Sequence, residues 1–329
     1  MNDNNGQLSM LTRNYFKKKF PLLYDICYEN YKGLVRNPQW LLMRKLARFR
    51  IGRFLREFFL KATAKSSNFY VNESPTLFPY IDVNLVVDSL KKDGFYLGIN
   101  LPENIVEEIV SFAHSNPCYI HRQSRLGFYY YQKQLAEIAY GEPLTLAGYF
   151  NTALLCPAIW QLQNDPKLLA IAAKFLEHEP AHQCNQLWWS FSGEVTDEQR
   201  RQTFQMFHYD MDDYRFLKFF FYLTDVDANG GAHICIRGSH KQKKLSHLLL
   251  PKSETDAEII NYYTKDSLVT ICGKAGFGFV EDTFCFHKSK TPINRDRLIL
   301  QLEYAITDYG MQHDTRDISG LRFLVNPKL

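Results

Sequence analysis

The sequence lacks the cysteine patterns of disulfide-rich and zinc-ribbon proteins. Its 329 residues include seven cysteines, an odd number, and no CxxC pair. A disulfide framework uses cysteines in pairs and a structural zinc site needs closely spaced thiolates, so neither is expected. This cysteine usage predicts a protein of the reducing cytoplasm.

Long hydrophobic runs are also absent. The N-terminal residues MNDNNGQLSMLTRNYFKKKF have no apolar stretch after their charges, so they do not resemble a secretory signal. The longest uncharged stretch, residues 143–164, contains Asn151, Thr152 and Pro157, which is typical of buried soluble structure. No transmembrane helix is expected. Internal repeats and low-complexity tracts are missing too, which excludes repeat architectures.

Acidic residues are scarce in the first fifth of the chain. Residues 1–66 contain fourteen Lys or Arg against four Asp or Glu, whereas the whole chain has a net charge of only +4. Within this basic helical extension, residues 38–61 predict a loosely amphipathic helix. Its basic side is formed by Arg44, Lys45, Arg48 and Arg56. Such a helix could pack on the rest of the protein with solvated arginines, or lie peripherally on a membrane. No nucleic-acid partner is expected, because no RNA-binding motif is present.

Residues 67–329 predict one main domain with a helical part followed by a β-rich part. Residues 82–180 have helical patterns, with a turn at Gly94 and a helix start at Pro102. From 183 to 306, short aromatic or β-branched segments alternate with turns such as Asn229-Gly230-Gly231. This order predicts an α+β to mainly β fold. Its core would be a double-stranded β-helix (a cupin-like jelly roll) flanked by helices.

One polar motif interrupts an aromatic stretch, FQMFHYDMDDY at residues 204–214. His208 and Asp210 are one residue apart, so on an extended strand both side chains point to the same face. The pair could be a satisfied buried contact, but an imidazole beside a carboxylate also suits a divalent first-row metal. His287, at the end of a later predicted strand, would complete the two-histidine, one-carboxylate triad of non-haem Fe(II) oxygenases. His208, Asp210 and His287 are therefore the predicted metal-binding and catalytic residues.

Arg297 opens the apolar strand that follows His287. A lone guanidinium pointing into such a core would be costly unless an anion met it. A dicarboxylate that chelates iron through its keto acid end could offer its far carboxylate as a bidentate partner. Arg297 is therefore the predicted cofactor-binding residue, and Arg295 is the alternative.

Four segments together carry a family resemblance. They are LKKDGFYLGINLPENIVEEIV, NDPKLLAIAAKFLEHEP, QMFHYDMDDYRFLKFFFYLTDVDANGGAHICIRGSHK, and AGFGFVEDTFCFHKS with the following RLIL. From about residue 82 to 305 the chain resembles the phytanoyl-CoA dioxygenase-like family of Fe(II)- and 2-oxoglutarate-dependent oxygenases. The resemblance implies Fe(II), 2-oxoglutarate and O2 as cofactor and cosubstrates. It also implies that Ser289 contacts the same cosubstrate carboxylate as Arg297.

The resemblance implies a dioxygenase that hydroxylates an unactivated C–H bond and releases succinate and CO2. A small-molecule substrate is expected, and the basic extension slightly favours a lipid or membrane-proximal glycan type. A function of another class stays open: a non-catalytic or zinc-binding jelly-roll module, tethered to a membrane surface by its basic N-terminus. Arg297 and Ser289 argue against this alternative, because zinc requires neither.

Several residues near the motif receive structural interpretations. Asp212 and Asp213 are predicted to form a solvated turn, in which one of them could contact a polar substrate. Lys218 is predicted to be a surface lysine, with an anion-binding role as the alternative. His233 and His240 are predicted to be structural or pocket-wall residues, because the triad is already complete without them. Among the aromatic groups, Trp188-Trp189 is expected to line the substrate pocket.

Overall fold

The computed structural model describes residues 31, 33–63, 75–203, 205–249 and 253–326. The rest of the predicted basic extension, residues 1–30, 32 and 64–66, lies outside this part of the chain. The α-helices described are α1 Pro38–Leu46, α2 Arg50–Thr63, α3 Val83–Asp93, α4 Glu103–Ser115, α5 Lys133–Tyr140, α6 Thr152–Leu155, α7 Pro157–Gln163, α8 Pro166–Leu176, α9 Asp197–Gln202, α10 Leu245–Leu249 and α11 Asp256–Tyr263. The strands are β1 Phe95–Leu97, β2 Cys118–Ile120, β3 Gly127–Phe128, β4 Leu146–Gly148, β5 Ala181–Ser190, β6 Phe216–Tyr222, β7 His233–Ile236, β8 Leu268–Ile271, β9 Gly278–Glu281, β10 His287–Ser289 and β11 Arg297–Ala305.

The strands form two antiparallel sheets. The larger has eight strands in the order β1-β9-β6-β11-β5-β4-β2-β3, and the smaller has the order β10-β7-β8. At the centre of the larger sheet, β11 pairs with β5 on one side and β6 on the other. Helices α3, α4, α7 and α8 pack on the outer face of the larger sheet through one apolar core. The predicted jelly roll flanked by helices is therefore confirmed.

Alternation along the strands gives the larger sheet two unlike faces. On β11, Leu298, Leu300 and Leu302 belong to the core shared with the helices. Ile299 and Gln301 instead line a cavity on the inner face, toward the smaller sheet. The inner face therefore holds the side chains available for chemistry, and the outer face holds the apolar core.

A glycine at the end of α3 brings this helix close to the loop before β10. Gly94 has φ 92°, a left-handed conformation that favours glycine. A Cβ at Gly94 would collide with Sγ of Cys285, and the Gly94 carbonyl accepts a hydrogen bond from the Asp282 amide at 2.8 Å. This contact fixes the loop that leads into His287.

The single helix predicted for residues 38–61 is wrong, because the structure has two helices separated by a break at 47–49. Gly52 allows the sharp turn, since a Cβ there would collide with the backbone carbonyl oxygen of Leu46. Met43 of α1 and Ala47, just after its end, are buried against the jelly roll beside Met211 and Phe284. In the described part of the chain, no helix combines the length and apolarity needed to cross a membrane.

Candidate metal centre and cavity

Backbone pairing of the segment before β6 with β10 and the loop that precedes it brings the predicted triad together. His208 lies in the extended segment before β6, where its amide and carbonyl bond the carbonyl and amide of His287 at 3.0 and 2.9 Å. The Asp210 amide donates to the Thr283 carbonyl at 2.8 Å. Residues 205–208, predicted to belong to a strand, form only the isolated bridges of Phe207 and His208, and residue 204 lies outside the described residues. These bridges are enough to place His208 and Asp210 beside His287.

The side-chain geometry of the triad fits a divalent metal. Nε2 of His208 lies 3.9 Å from Oδ1 of Asp210, and Nε2 of His287 lies 3.6 Å from Oδ2. One potential ligand atom from each of the three residues lies within 4.8 Å of the other two. Two imidazoles and one carboxylate on one side of a cavity can hold a first-row metal ion and leave its other positions open.

Hydrogen bonds fix the tautomer of both histidines. Nδ1 of His208 lies 2.9 Å from the Met206 carbonyl, and Nδ1 of His287 lies 3.0 Å from the Cys285 carbonyl. A carbonyl only accepts, so Nδ1 carries the proton and Nε2 holds the lone pair directed toward Asp210. Burial also lowers the pKa of His287 to about 4, which keeps its imidazole neutral. Both rings are therefore prepared to ligate a metal.

Lys218 is the counter-ion of the site, and its prediction as a surface residue is wrong. It is buried on β6, and its Nζ lies 2.8 Å from Asp210, 2.9 Å from Asp212 and 3.4 Å from Glu303. Burial alone would lower the pKa of Lys218, but these carboxylates raise it well above its ordinary value. Burial likewise opposes ionisation of Asp210, but Lys218 and the neighbouring histidine rings together outweigh burial and hold the pKa of Asp210 well below its usual range. Asp210 is therefore a carboxylate even inside the protein.

The prediction that Asp212 and Asp213 form a solvated turn is also wrong, because both are buried. Asp212 bonds Lys218 and accepts a hydrogen bond from Nε2 of Gln312 at 2.9 Å. Asp213 accepts the backbone amides of Tyr214 and Thr307, each at 2.7 Å, and burial raises its pKa to about 6. The two carboxylates tie the metal-site segment to Lys218 and to the chain after β11.

His233 lies directly behind the triad as a wall residue. Its ring stacks on His287 with centroids 5.4 Å apart, and its Nε2 lies 2.7 Å from Oε2 of Glu281. Burial raises the pKa of Glu281 to about 8 and lowers that of His233 to about 3, so the pair is held neutral. His240 does not line this cavity, and its Nδ1 lies 3.2 Å from Sγ of Cys285.

Arg297 is buried in the same interior, at the end of the cavity marked by Ser289. Its Nη2 donates to Oγ of Ser190 at 2.9 Å and to Oγ of Ser289 at 3.3 Å, and its Nη1 bonds the Gly231 carbonyl. Its Nε has no hydrogen-bond partner among the described residues. A buried guanidinium without a carboxylate and with an unsatisfied donor fits the far carboxylate of a dicarboxylate. Arg295 is half exposed and pairs with Asp227 at 2.9 Å, so it lies outside this interior.

A cavity of about 330 Å³ opens in front of the triad. Trp188 lines it, as predicted, but Trp189 does not, because adjacent strand residues face opposite sides. Trp189 instead stacks on Tyr130 in the core, with centroids 4.1 Å apart.

Two arginines that the sequence did not assign to the site also line this cavity, Arg44 of α1 and Arg122 of the turn after β2. No local sequence signal marks either residue. Lys218 had a usable signal, because it is the lone charge in the apolar strand FLKFFFY, which is the argument that identified Arg297.

Comparisons with known proteins identify the fold but no family. No protein-family model matches the chain, and no curated protein sequence matches it significantly. Among solved structures, the non-haem α-ketoglutarate-dependent epimerase SnoN of nogalamycin biosynthesis is 13% identical, with TM-score 0.50 over 68% of this chain and 82% of that one. HygX from Streptomyces hygroscopicus, solved with nickel, 2-oxoglutarate and hygromycin B, is 15% identical, with TM-score 0.45 over 68% and 87%. AviO1 from Streptomyces viridochromogenes Tue57 is 15% identical, with TM-score 0.44 over 70% and 96%. The likeness to SnoN shows a shared fold.

Proposed function

We propose that this protein is an Fe(II)- and 2-oxoglutarate-dependent oxygenase that hydroxylates a C–H bond of a small-molecule substrate. The observation that carries the proposal is the triad of His208, Asp210 and His287, whose potential ligand atoms lie within 4.8 Å of one another at a cavity. The buried Arg297, beside Ser289 in the same interior, supplies the second element such a reaction needs.

Each residue has a distinct part in the proposed reaction. His208, Asp210 and His287 would hold Fe(II), while Arg297 and Ser289 would bind the far carboxylate of 2-oxoglutarate. Bound iron, with 2-oxoglutarate and O2, supplies the oxidising chemistry that yields succinate, CO2 and a hydroxylated product.

The protein's own groups orient the ligands and surround the substrate. Lys218 fixes the Asp210 carboxylate through its 2.8 Å ion pair, and the Nδ1 hydrogen bonds keep both Nε2 lone pairs aimed inward. Trp188 and Phe220 give the cavity apolar walls. Apolar walls limit the access of water to the reacting atoms.

A zinc-binding or non-catalytic module is the competing function. The triad alone would serve it, because zinc also accepts histidine and carboxylate ligands. It gives no reason, however, to bury Arg297 with an unsatisfied Nε on the inner face of the sheet. A bound dicarboxylate would pair with this guanidinium and so explain its burial.

The deciding experiment supplies purified protein with Fe(II), O2 and 2-oxoglutarate and measures succinate, first alone and then with a metabolite panel. Slow succinate release without substrate is expected, with stimulation by a matching compound. Arg297→Ala should weaken 2-oxoglutarate binding by about 10-fold or more, because it removes a charge-assisted pair. Arg295→Ala is the matched control and should bind it normally. Absence of both succinate release and 2-oxoglutarate binding would refute the proposal.

We also propose that the protein acts in the cytoplasm and contacts a membrane peripherally through α2. Two arginines of this helix turn inward, with Cζ of Arg53 4.1 Å from the centre of the Phe284 ring and Cζ of Arg56 6.0 Å from that of Tyr214. Its outward side presents Ile51, Phe54 and Leu55, which are 69%, 64% and 48% exposed. Apolar side chains beside an exposed basic residue, Arg50, suit the surface of an anionic bilayer.

Vesicle sedimentation tests the membrane contact. The protein should sediment with phosphatidylglycerol vesicles and much less with phosphatidylcholine vesicles. The double variant Ile51→Ser, Phe54→Ser should stay in the supernatant, whereas Ile138→Ser, which changes a 78% exposed residue on α5, should behave as the wild type. Equal sedimentation of all three proteins would show that α2 does not bind the membrane.

A further inference from the structure

Two arginines at the cavity have no function in the chemistry described above. Arg44 and Arg122 line the same cavity as His208, Asp210 and His287. We propose that Arg44 and Arg122 form a phosphate-binding subsite that holds the phosphate group of the substrate in front of the triad. The inference rests on the proposed function, because it takes the bound phosphate compound to be the molecule that is oxidised at the triad.

The backbone places Arg122 in a conformation that few residues adopt. His121 and Arg122 both have left-handed φ angles, 48° and 57°, within the turn that links β2 to β3. This conformation is costly for residues with a Cβ and needs support from the surrounding structure. Support comes from β4, where Leu146 accepts the His121 amide at 3.1 Å. The turn thereby directs Arg122 to the cavity.

A glycine on β4 makes room for the Arg122 side chain. A Cβ at Gly148 would lie 2.8 Å from Cγ and 3.3 Å from Cδ of Arg122. The aliphatic part of Arg122 therefore lies directly on the Gly148 backbone. This close packing positions the guanidinium at the wall of the cavity.

Arg44 reaches the same cavity from a different element, near the N-terminus of the chain. It lies on α1, which is anchored by the buried Met43 and by Ala47 just after the helix. Its Cζ lies 4.7 Å from the centre of the Trp40 ring, a cation–π contact that leaves the guanidinium N–H groups available.

In the described parts of the chain, no carboxylate pairs directly with Arg44 or Arg122, although Asp314 lies close enough to Arg122 to oppose the lowering of its pKa by burial. Neither guanidinium donates a hydrogen bond or forms an ion pair with a residue in the described parts of the chain. The two acids that line the cavity, Asp210 and Asp212, already share Lys218. Burial lowers the pKa of Arg122, so the charged form is held in a partly desolvated place. Two unpaired cations in a substrate-sized cavity predict an anionic ligand.

The arrangement favours a phosphate monoester over a simple carboxylate. Two guanidinium groups offer two planar pairs of donors and a charge of +2, which matches the dianionic form and three terminal oxygens of a phosphate. Gln301 lines the same cavity, and its Nε2 has no hydrogen-bond partner among the described residues, so it can donate a further hydrogen bond to the ligand. A substrate anchored by its phosphate would present its carbon skeleton to the triad, so binding of a non-reacting group would orient the reacting bond.

Calorimetric titration of glycerol 3-phosphate tests the subsite. The full-length protein is loaded with Ni(II), which replaces Fe(II) to prevent turnover, and with 2-oxoglutarate. Arg122→Gln and Arg44→Gln should each raise the dissociation constant by about 10-fold or more, because each removes charge-assisted hydrogen bonds. Arg125→Gln and Arg36→Gln are the matched controls, exposed arginines of the same turn and the same N-terminal region, and should bind as the wild type.

A second variant tests the position of the arginine without removing its charge. Gly148→Ala adds a methyl group where the Arg122 side chain lies, so it should displace the guanidinium and weaken glycerol 3-phosphate binding. Thermal unfolding of every variant establishes that the fold is kept. Should Arg122→Gln fail to fold, Gly148→Ala and Arg44→Gln still decide the matter.

The source of the phosphate group is distinguished by a parallel measurement. Vesicles of phosphatidic acid replace glycerol 3-phosphate, with the α2 variant Ile51→Ser, Phe54→Ser as background so that membrane contact through α2 does not contribute. Arginine-dependent binding of the soluble ester alone identifies a soluble phosphorylated substrate. Arginine-dependent binding of the vesicles identifies a lipid headgroup.

Three outcomes would overturn the proposal. The first is no binding of glycerol 3-phosphate or phosphatidic acid vesicles by the wild type at concentrations up to about 10 mM. The second is equal loss of binding in the control variants, which would indicate a general charge effect. The third is loss of 2-oxoglutarate affinity instead of phosphate affinity in the Arg44 and Arg122 variants. The titration is repeated without metal. Arginine-dependent phosphate binding in that titration, together with no succinate release by the Fe(II)-loaded protein, would refute the oxygenase proposal and leave the subsite standing.

Discussion

The larger sheet separates two buried regions of opposite chemistry. The outer interior lies between the sheet and the helices and is apolar, and the inner interior lies around the cavity and carries charged side chains. The outer face of the sheet meets the helices through residues such as Leu187, Trp189 and Leu300, in a continuous apolar core. Its inner face carries Lys218, Arg297 and Glu303, all buried. The difference follows from strand alternation, because neighbouring residues of one strand contribute to different interiors. The outer interior stabilises the fold, and the inner one holds the charged side chains of the proposed site at a cost in stability.

Removing a triad residue should have the largest effect and leave the outer interior intact. Asp210→Ala should abolish succinate release and weaken Ni(II) binding by more than about 100-fold, which exceeds the loss expected from an outer hydrogen-bond partner. Calorimetry with Ni(II) and the succinate assay measure both effects. Asp225→Ala removes an exposed carboxylate paired with Lys274 and is the control. Normal metal binding by Asp210→Ala would show that the triad is misassigned.

Removing the positive charge of Lys218 tests how much charge pairing in the inner interior contributes to the stability of the protein. Lys218→Met should destabilise the protein by about 3–5 kcal/mol, because it leaves buried carboxylates without their cation. Urea unfolding measures the change. The matched control is Lys274→Met, which breaks an exposed pair with Asp225 and should cost less than about 1 kcal/mol. Equal stability of both variants would mean that burial of Lys218 adds nothing to the strength of its pairing.

A cavity in the outer interior should affect stability alone. Leu300 is fully buried in the core between the sheet and the helices. Leu300→Ala should cost about 2–5 kcal/mol in urea unfolding through lost burial and the space left behind. Ni(II) affinity should stay unchanged, since Leu300 faces away from the triad. Leu154→Ala, at a 72% exposed position, is the control for stability. Weaker metal binding by Leu300→Ala would show that the two interiors are coupled.

The smallest effect should come from the adjacent tryptophans on opposite faces. Nε1 of Trp189 donates to the Tyr149 hydroxyl at 2.8 Å in the core. Trp189→Phe should keep the stacking and lose this hydrogen bond, at about 1 kcal/mol in urea unfolding. Trp188→Phe should be nearly neutral in stability and should change the affinity for compounds that enter the cavity. The reverse assignment of these two effects would contradict the register of β5.

The sequence was informative wherever a local pattern carried the signal. Alternating aromatic and β-branched segments predicted the jelly roll, and the spacing of His208 and Asp210 placed both side chains on one face. The lone charge at Arg297 predicted a buried guanidinium, which the structure has. The same reasoning applied to Lys218 would have found its burial. These signals work because strand periodicity depends only on neighbouring residues.

By itself, then, the sequence determined the fold class and the residue types of a candidate metal triad. Only the tertiary structure decided that Arg44, Arg122 and Gln312, from three distant parts of the chain, line one cavity with that triad. It also decided which of Trp188 and Trp189 faces the cavity, and that Lys218 links Asp210 to Asp212. The physical reason is that periodicity assigns a side chain to a face, whereas its partners depend on which distant segments pack there.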